Sequence, residues 1–140
     1  MRMRLLWSEL LCFLLLTSGA SAQSLEQQAL CAKQAKIALQ EYEDDNRKLS
    51  PNLNQHSEYQ SHYNTKLDKC LINIQTMIFG DNNITTSVLL MDAFEQRVYA
   101  SYVWASPQVN SCDLIPSSQD QRTCSSKEDF DAFVAKYMEE

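Results

Sequence analysis

The strongest constraint on the fold lies in residues 70–104, where apolar, β-branched and aromatic residues together are more concentrated than in any other stretch of this length after residue 22. In the first part of this stretch, residues 70–79, apolar side chains alternate with polar ones, as in the run Ile72, Asn73, Ile74. Alternation with a period of two is typical of a strand that buries one face. This stretch therefore predicts a β-sheet at the centre of the fold.

The rest of the stretch predicts two more strands joined by short connections. Residues 80–83, Gly-Asp-Asn-Asn, are of the types that favour a tight turn, and Gly80 is the only glycine after residue 19. Residues 84–91 and 97–104 are then predicted as the second and third strands. Because connections this short cannot carry a parallel crossover, we expect an antiparallel meander.

The beginning of the chain has the three parts of a secretory signal peptide. Arg2 and Arg4 give it a positive charge, residues 5–16 are mostly apolar, and residues 20–22, Ala-Ser-Ala, fit the small-x-small cleavage signal. We therefore expect residues 1–22 to be removed during export to the periplasm or the medium.

The competing interpretation is an uncleaved membrane anchor. The apolar run is shorter than the roughly 20 residues that span a bilayer, and Glu9 interrupts it. Cleavage is therefore favoured, and we expect no membrane insertion afterwards. Residues 23–140 would then fold as one disulfide-stapled α+β domain.

The charge of the predicted mature chain excludes some partners. Removal of residues 1–22 takes two arginines and one glutamate from the 12 basic and 18 acidic side chains, which leaves a net charge of −7. Nucleic acids and anionic membrane surfaces bind clustered Lys and Arg, so neither is an expected partner. The negative charge is compatible with a cationic partner, and it is equally explained if it serves solubility alone.

Four cysteines remain after cleavage, in a chain bound for an oxidising compartment. Two disulfides are the default expectation, with three possible connectivities. No CxxC pair occurs among them, which disfavours a zinc knuckle and a thioredoxin-type redox motif. The four residues are Cys31, Cys70, Cys112 and Cys124.

A first helix is predicted from Ser24 to about residue 43, because serine is a good N-cap residue and no Gly or Pro interrupts the segment. Its apolar stripe includes Cys31 and Ala35. The residues Ser50-Pro51 resemble an N-cap followed by proline at the first helical position, so a second helix is predicted over residues 52–69.

The second helix would also carry a stripe that ends in a cysteine, since Tyr59, Tyr63 and Cys70 follow helical spacing. The two helices would then form a hairpin with a cysteine from each in its seam. That geometry favours the bridge Cys31–Cys70 and leaves Cys112–Cys124 as the second bridge.

The C-terminal part predicts further strands and a closing helix. Residues 109–115 are predicted as a fourth strand, and residues 121–124 as a chain that returns beside it. Ser125 and Glu128 have the spacing of a capping box, and an apolar helical stripe follows. The predicted fold is α+β, with an N-terminal helical hairpin, a small antiparallel β-meander of three to five strands and a C-terminal helix packed on the sheet.

Several short segments resemble a group of small exported bacterial proteins of unknown function. They are His62-Tyr63-Asn64 with Leu67 and Lys69-Cys70, Asp92-Ala93-Phe94-Glu95 with Arg97 and Tyr99-Ala100, Cys112, Cys124, and the ending Tyr137-Met138-Glu139-Glu140. The resemblance covers most of the chain after residue 22. It implies an exported bacterial protein with two disulfides and names no activity.

One group of residues could bind a metal. On the predicted second helix Glu58 and His62 are spaced i, i+4 and would face the same side, with His56 nearly two turns from His62. The spacing is not that of an HExxH helix, and a hydrogen-bonding pair is the more usual role. A small metal-binding protein or hydrolase that uses this cluster is the alternative function; the main prediction includes no metal and no cofactor.

Aromatic residues of the third strand are the candidate binding residues. Alternation places Tyr102 and Trp104 on one face of that strand and Tyr99 on the other. If the sheet is covered on one side only, at least one ring stays partly exposed, and exposed aromatic residues are enriched at interface hot spots. Burial under the terminal helix is the commoner fate of such rings.

Catalytic motifs are scarce in this sequence. With Gly80 the only glycine after residue 22, the chain cannot hold a Gly-x-Ser-x-Gly elbow, a P-loop or a dinucleotide fingerprint. Asp92 and Glu95 could form an acid/base pair, but turn capping and solvation are the commoner roles. The leading hypothesis is an exported, non-catalytic domain that binds a protein or envelope component. A purely structural role in the envelope stays open beside it.

Overall fold

The computed structural model describes residues 19–105, 107–117 and 119–139, without the side chains of residues 19–23, 109 and 110. Residues 1–18 of the predicted signal peptide lie outside this range. The described residues form a helix, six strands and a second helix. Their bounds are α1 Gly19–Leu49, β1 Asn54–Asn64, β2 Lys69–Phe79, β3 Ile84–Asp92, β4 Val98–Ala105, β5 Gln108–Leu114, β6 Arg122–Thr123 and α2 Lys127–Met138.

The strands form one antiparallel meander in the order β1-β2-β3-β4-β5-β6. The predicted meander is therefore confirmed, although six strands replace the three to five expected. The turn between β2 and β3 also forms where it was predicted, and the Gly80 N–H donates to the Asn83 carbonyl at 2.9 Å.

The predicted helical hairpin is wrong, because residues 54–64 form strand β1 and pair with β2 along their whole length. Tyr59 and Tyr63 are four residues apart, and that spacing fits both one face of a helix and one face of a strand. The other residues of the segment are polar on both faces, so they add no apolar alternation. Pairing with the apolar strand β2 decides the conformation.

The first helix is longer than predicted at both ends. At its C-terminal end the acidic residues are paired within the helix: Asp44 with Arg47 at 3.2 Å and Asp45 with Lys48 at 2.9 Å. These cations lie in the last turn, where positive charge favours the helix dipole. In the described part of the chain no helix, α1 included, has the length and apolar character that a membrane span requires.

The two helices cover opposite faces of the sheet. Alternate residues of β2 divide between two buried clusters: Ile72 and Ile74 pack with α1, whereas Leu71 packs with the residues of α2. The face under α1 also receives Met91, and the face under α2 receives Leu90. The first part of the strand is thus buried on both sides, whereas Gln75 and Phe79, on the same face as Leu71, are exposed. The predicted packing of the C-terminal helix on the sheet is confirmed.

Both predicted disulfides are present. Cys31–Cys70 joins α1 to β2 with a Cα–Cα distance of 5.2 Å, and Cys112–Cys124 joins β5 to the segment before α2 at 5.3 Å. The first pairing was predicted from a helical hairpin that does not form; it holds because α1 packs on the face of β2 that carries Cys70. The two disulfides lie on opposite faces of the sheet, Cys31–Cys70 on the side of α1 and Cys112–Cys124 on the side of α2.

We expect Cys31→Ser and Cys70→Ser to destabilise the fold to a similar extent, by up to about 4 kcal/mol from the chain entropy of a 39-residue separation. The double variant should lose little more, because one bridge is already absent in each single variant. Urea unfolding of the oxidised proteins measures this, and strongly additive losses would contradict the pairing.

The cap of α2 differs from the predicted capping box by one residue. Ser126, and not Ser125, is the N-cap, and its hydroxyl accepts from the Asp129 N–H at 3.2 Å. The Asp129 carboxylate in turn accepts from the Ser125 N–H and from both terminal nitrogens of Arg122. The Arg122 guanidinium, followed by the Ser125 N–H, holds the pKa of Asp129 well below its usual range.

This carboxylate makes the stability of the fold depend on pH. The pKa of Asp129 is lower in the folded chain than in the unfolded one, so its contribution is complete above about pH 5 and is lost as the pH falls through the folded pKa. Asp129→Asn should lower the melting temperature at pH 7, and the difference from the wild type should narrow between pH 5 and pH 2. A difference that stays constant over this range would refute the assignment.

The matched control is Asp131→Asn. Asp131 is a more exposed carboxylate on the same helix, and its partner is Lys127 at i, i+4. Exposed pairs of this kind contribute little, so the control should shift the melting temperature less.

Candidate functional site

A cleft of about 260 Å³ opens at one end of the sheet, beside the Cys31–Cys70 disulfide. The turn from β1 to β2 and the turn from β3 to β4 meet there, because Leu71 of β2 pairs with Asp92 of β3. Helix α1 forms the remaining wall. Side chains that line the cleft include Leu30, Tyr63, Lys69, Asp92, Phe94 and Glu95.

The buried carboxylate of Asp92 organises the turn from β3 to β4. Its Oδ1 accepts from the Phe94 N–H at 2.8 Å and from the Glu95 N–H at 2.9 Å, and its backbone pairs with Gln96 and Arg97. The role of turn cap predicted for Asp92 is therefore observed. The capped turn presents the Phe94 side chain to solvent, where 54% of the residue is exposed.

Charged groups line the cleft. The Lys69 ammonium lies 2.5 Å from the Glu95 carboxylate and 3.5 Å from that of Asp92. The hydrogen bond to Glu95 raises the pKa of Lys69, so the ammonium stays charged. The Tyr63 hydroxyl donates to the Asp68 carboxylate, and this bond raises the pKa of Tyr63. The residues that line the cleft thus include more carboxylates than ammonium groups.

Helix α1 is fastened to both turns around the cleft. The Gln28 side chain makes two hydrogen bonds to the backbone of Tyr63, and the Gln34 side chain donates to the Ala93 carbonyl at 3.1 Å. The Ala93 N–H donates to the Cys70 carbonyl at 2.8 Å, so the backbone beside the disulfide is also tied to the second turn. Leu30 projects from α1 at the rim and is 55% exposed.

Buried Asn64 connects the turn from β1 to β2 with the end of α2. Its Nδ2 donates to the Tyr137 carbonyl at 3.1 Å, and its Oδ1 accepts from the backbone of Lys66 and Leu67. Next to this contact the Tyr137 ring packs on Tyr99, with 5.1 Å between centroids. Many of the residues singled out by the resemblance therefore lie in one contact network at this end of the sheet.

The candidate aromatic residues of β4 are mostly buried. Tyr99 and Tyr102 are only 5% and 6% exposed, packed on Tyr137 and Phe130 of α2, whereas Trp104 is 37% exposed. Alternation predicted opposite faces for Tyr99 and Tyr102. The ladder between β3 and β4 shifts register beside Tyr99, and this bulge places the Tyr99 ring on the same side as Tyr102, toward α2.

The histidine cluster is spread along β1. His56 and Glu58 are neighbours on one face, with 3.6 Å between Nε2 and Oε1. His62 lies four residues beyond Glu58, which is about 13 Å along an extended strand. The i, i+4 proximity that a helix would give is therefore lost. Among the described residues, no group of three His, Cys, Asp or Glu side chains is placed to hold a metal ion.

Sequence reasoning missed the cleft because its walls come from three distant parts of the chain. The signal nearest to it was the resemblance, whose segments around Tyr63, Lys69 and Phe94 meet there. Leu30 gave no signal of its own, since an apolar residue on a helix predicts a core position.

Comparison with family models, with curated proteins and with solved structures finds no match for this chain. The resemblance to small exported bacterial proteins therefore stays a prediction.

We expect Asp92→Ala to destabilise the fold by about 1–3 kcal/mol, because two backbone N–H groups of the turn lose their acceptor. Asp92→Asn keeps an acceptor oxygen and should cost less. Glu95→Ala is the control, since it removes only an exposed partner of Lys69. Urea unfolding measures all three, and equal losses for both Asp92 variants would show that the charge matters more than the turn.

Proposed function

We propose that the protein is an exported, non-catalytic domain that binds a protein or envelope component through the cleft. The observation that carries this proposal is the pair of exposed apolar side chains, Leu30 and Phe94, at the rim of a cleft lined by charged groups. Two disulfides fit a protein of an oxidising compartment.

The cleft is suited to binding because the backbone around it is fixed before a partner arrives. The Phe94 ring stands on a turn that Asp92 caps from within, and α1 is joined to both turns by glutamine side chains. A turn whose backbone is already fixed loses little conformational freedom on binding, which favours affinity. Aromatic residues that fill a partner's pocket are typical anchors of interfaces.

The charge of the cleft favours a partner segment that is both basic and apolar. The residues that line it include three carboxylates, those of Asp68, Asp92 and Glu95, and a single ammonium, that of Lys69. A Lys or Arg of the partner would find carboxylate oxygens, while its apolar neighbours would contact Phe94. The net charge of −6 over the whole sequence would attract such a segment at long range.

The same contacts argue against acid/base catalysis in the cleft. A lysine that acts as a general base needs a lowered pKa, whereas the hydrogen bond to Glu95 raises the pKa of Lys69. One oxygen of the Asp92 carboxylate is engaged by two turn N–H groups and the other faces Lys69. These groups are held by their partners within the fold.

Capture from an envelope extract of the exporting cell tests the proposal. Phe94→Ala should lower the affinity for the captured component about tenfold or more, from the loss of a buried aromatic side chain. Phe79→Ala is the matched control, because Phe79 is also exposed but lies at the opposite end of β2.

A third variant, Trp104→Ala, tests the aromatic surface predicted from the sequence. We expect this variant to bind as the wild type does. For the wild type and this variant alike, the affinity should fall as the salt concentration is raised, because salt screens the charges of the cleft. Loss of capture by Trp104→Ala with normal capture by Phe94→Ala would reject the cleft in favour of the open part of the sheet.

A further inference from the structure

Strand β1 forms a long, open edge of the sheet. It runs over 11 residues, pairs with β2 without a bulge, and contains no proline or lysine. The opposite edge strand, β6, has only two residues. Natural proteins protect sheet edges with short strands, bulges, prolines or lysines, because an open edge pairs with other chains. One edge of this sheet has such protection, and the edge of β1 lacks it.

A single side chain from α1 caps one position of this edge. The Gln28 carboxamide accepts from the Tyr63 N–H at 3.1 Å and donates to the Tyr63 carbonyl at 3.0 Å, as a neighbouring strand would. Backbone groups of an antiparallel strand alternate in direction, so those of Ser57, Tyr59 and Ser61 point outward as well. They receive no such cap from the described part of α1.

The sequence of the open segment is nearly the same in both directions. Residues 56–62 read His-Ser-Glu-Tyr-Gln-Ser-His, and only Glu58 and Gln60 break the symmetry about Tyr59. Two copies of such a strand can pair antiparallel about a two-fold axis at Tyr59. Each outward-facing residue then meets an outward-facing residue, as the ladder requires.

From this juxtaposition we infer that β1 pairs with β1 of a second copy of this chain, centred on Tyr59. Ser57 lies opposite Ser61 of the second copy and Tyr59 opposite its counterpart, which forms about six backbone hydrogen bonds. The Gln28 cap at Tyr63 ends the pairing on each side. Because a single strand pair buries less than a standard interface, the dimer is weak and depends on concentration.

The register puts the Glu58 carboxylate opposite the Gln60 amide of the second copy, and the symmetry repeats this pair. A charge placed at Gln60 therefore acts twice. Gln60→Glu opposes two like charges and should weaken dimerisation by roughly two- to thirtyfold, whereas Gln60→Lys should strengthen it by a similar factor. A register centred on Ser57 would remove Gln60 from Glu58, and both effects would disappear.

Sedimentation equilibrium of the oxidised protein from exporting cells, over a concentration series, measures the dimerisation constant. The controls are Gln119→Glu and Gln119→Lys, which make the same changes at an exposed residue in the loop before β6 and should leave the constant unchanged. Both Gln60 variants alter an exposed side chain, so they should fold normally. Melting temperatures equal to that of the wild type at low protein concentration would show this.

Amide hydrogen exchange identifies the surface directly. Protection of the Ser57, Tyr59 and Ser61 amides that grows with protein concentration supports the edge-to-edge dimer. Three results would overturn the edge-to-edge dimer. The chain could stay monomeric at millimolar concentration, the dimerisation constant could be unchanged in both Gln60 variants, or the protection could be confined to other residues. None of these outcomes depends on binding in the cleft.

Discussion

The burial of the first part of strand β2 on both faces is the constraint on which the other elements depend. Its even-numbered residues from Cys70 to Ile74 pack under α1, and Leu71 between them packs with the residues of α2. Because the side chains of a strand alternate, a slip of one residue would exchange the two sets between the two helices. The Cys31–Cys70 disulfide fixes this register, since it joins one buried face of β2 to the helix that covers it.

This burial explains which parts of the fold could be predicted from the sequence. The segment of β2 combines apolar content with alternation, and its neighbours follow through short turns, so the meander and the closing helix were predicted correctly. β1 was predicted as a helix from the apparent helix start at Ser50-Pro51 and from the spacing of Tyr59 and Tyr63, which fits a strand as well. Its conformation is set by pairing with β2, and no pattern within residues 54–64 reports that pairing.

The candidate site was less accessible to sequence reasoning than the fold. The Tyr99 prediction failed on a single extra residue in the ladder between β3 and β4, which moves a ring to the other face of the sheet. Asp92 was correctly predicted as a turn cap, because hydrogen bonds from an aspartate to the N–H groups two and three residues later depend only on the local sequence. The cleft depends on Leu30 of α1 and Phe94 lining the same space, and this long-range arrangement follows only from the packing of α1 on β2.

The two proposed binding surfaces are the cleft and the open edge of β1, and Gln28 lies at the border between them. At Tyr63 the Gln28 side chain satisfies the outward backbone groups of β1 and, by the same two bonds, holds α1 at the wall of the cleft. Toward Ser57 the described part of α1 provides no such cap, so the outward N–H and carbonyl groups of β1 are open there to solvent or to another strand. Exchanging water for the strand of a second copy gains little per hydrogen bond, and a weak dimer is the physical consequence. The cleft, whose turns are already bonded within the chain, can be occupied whether or not that dimer forms.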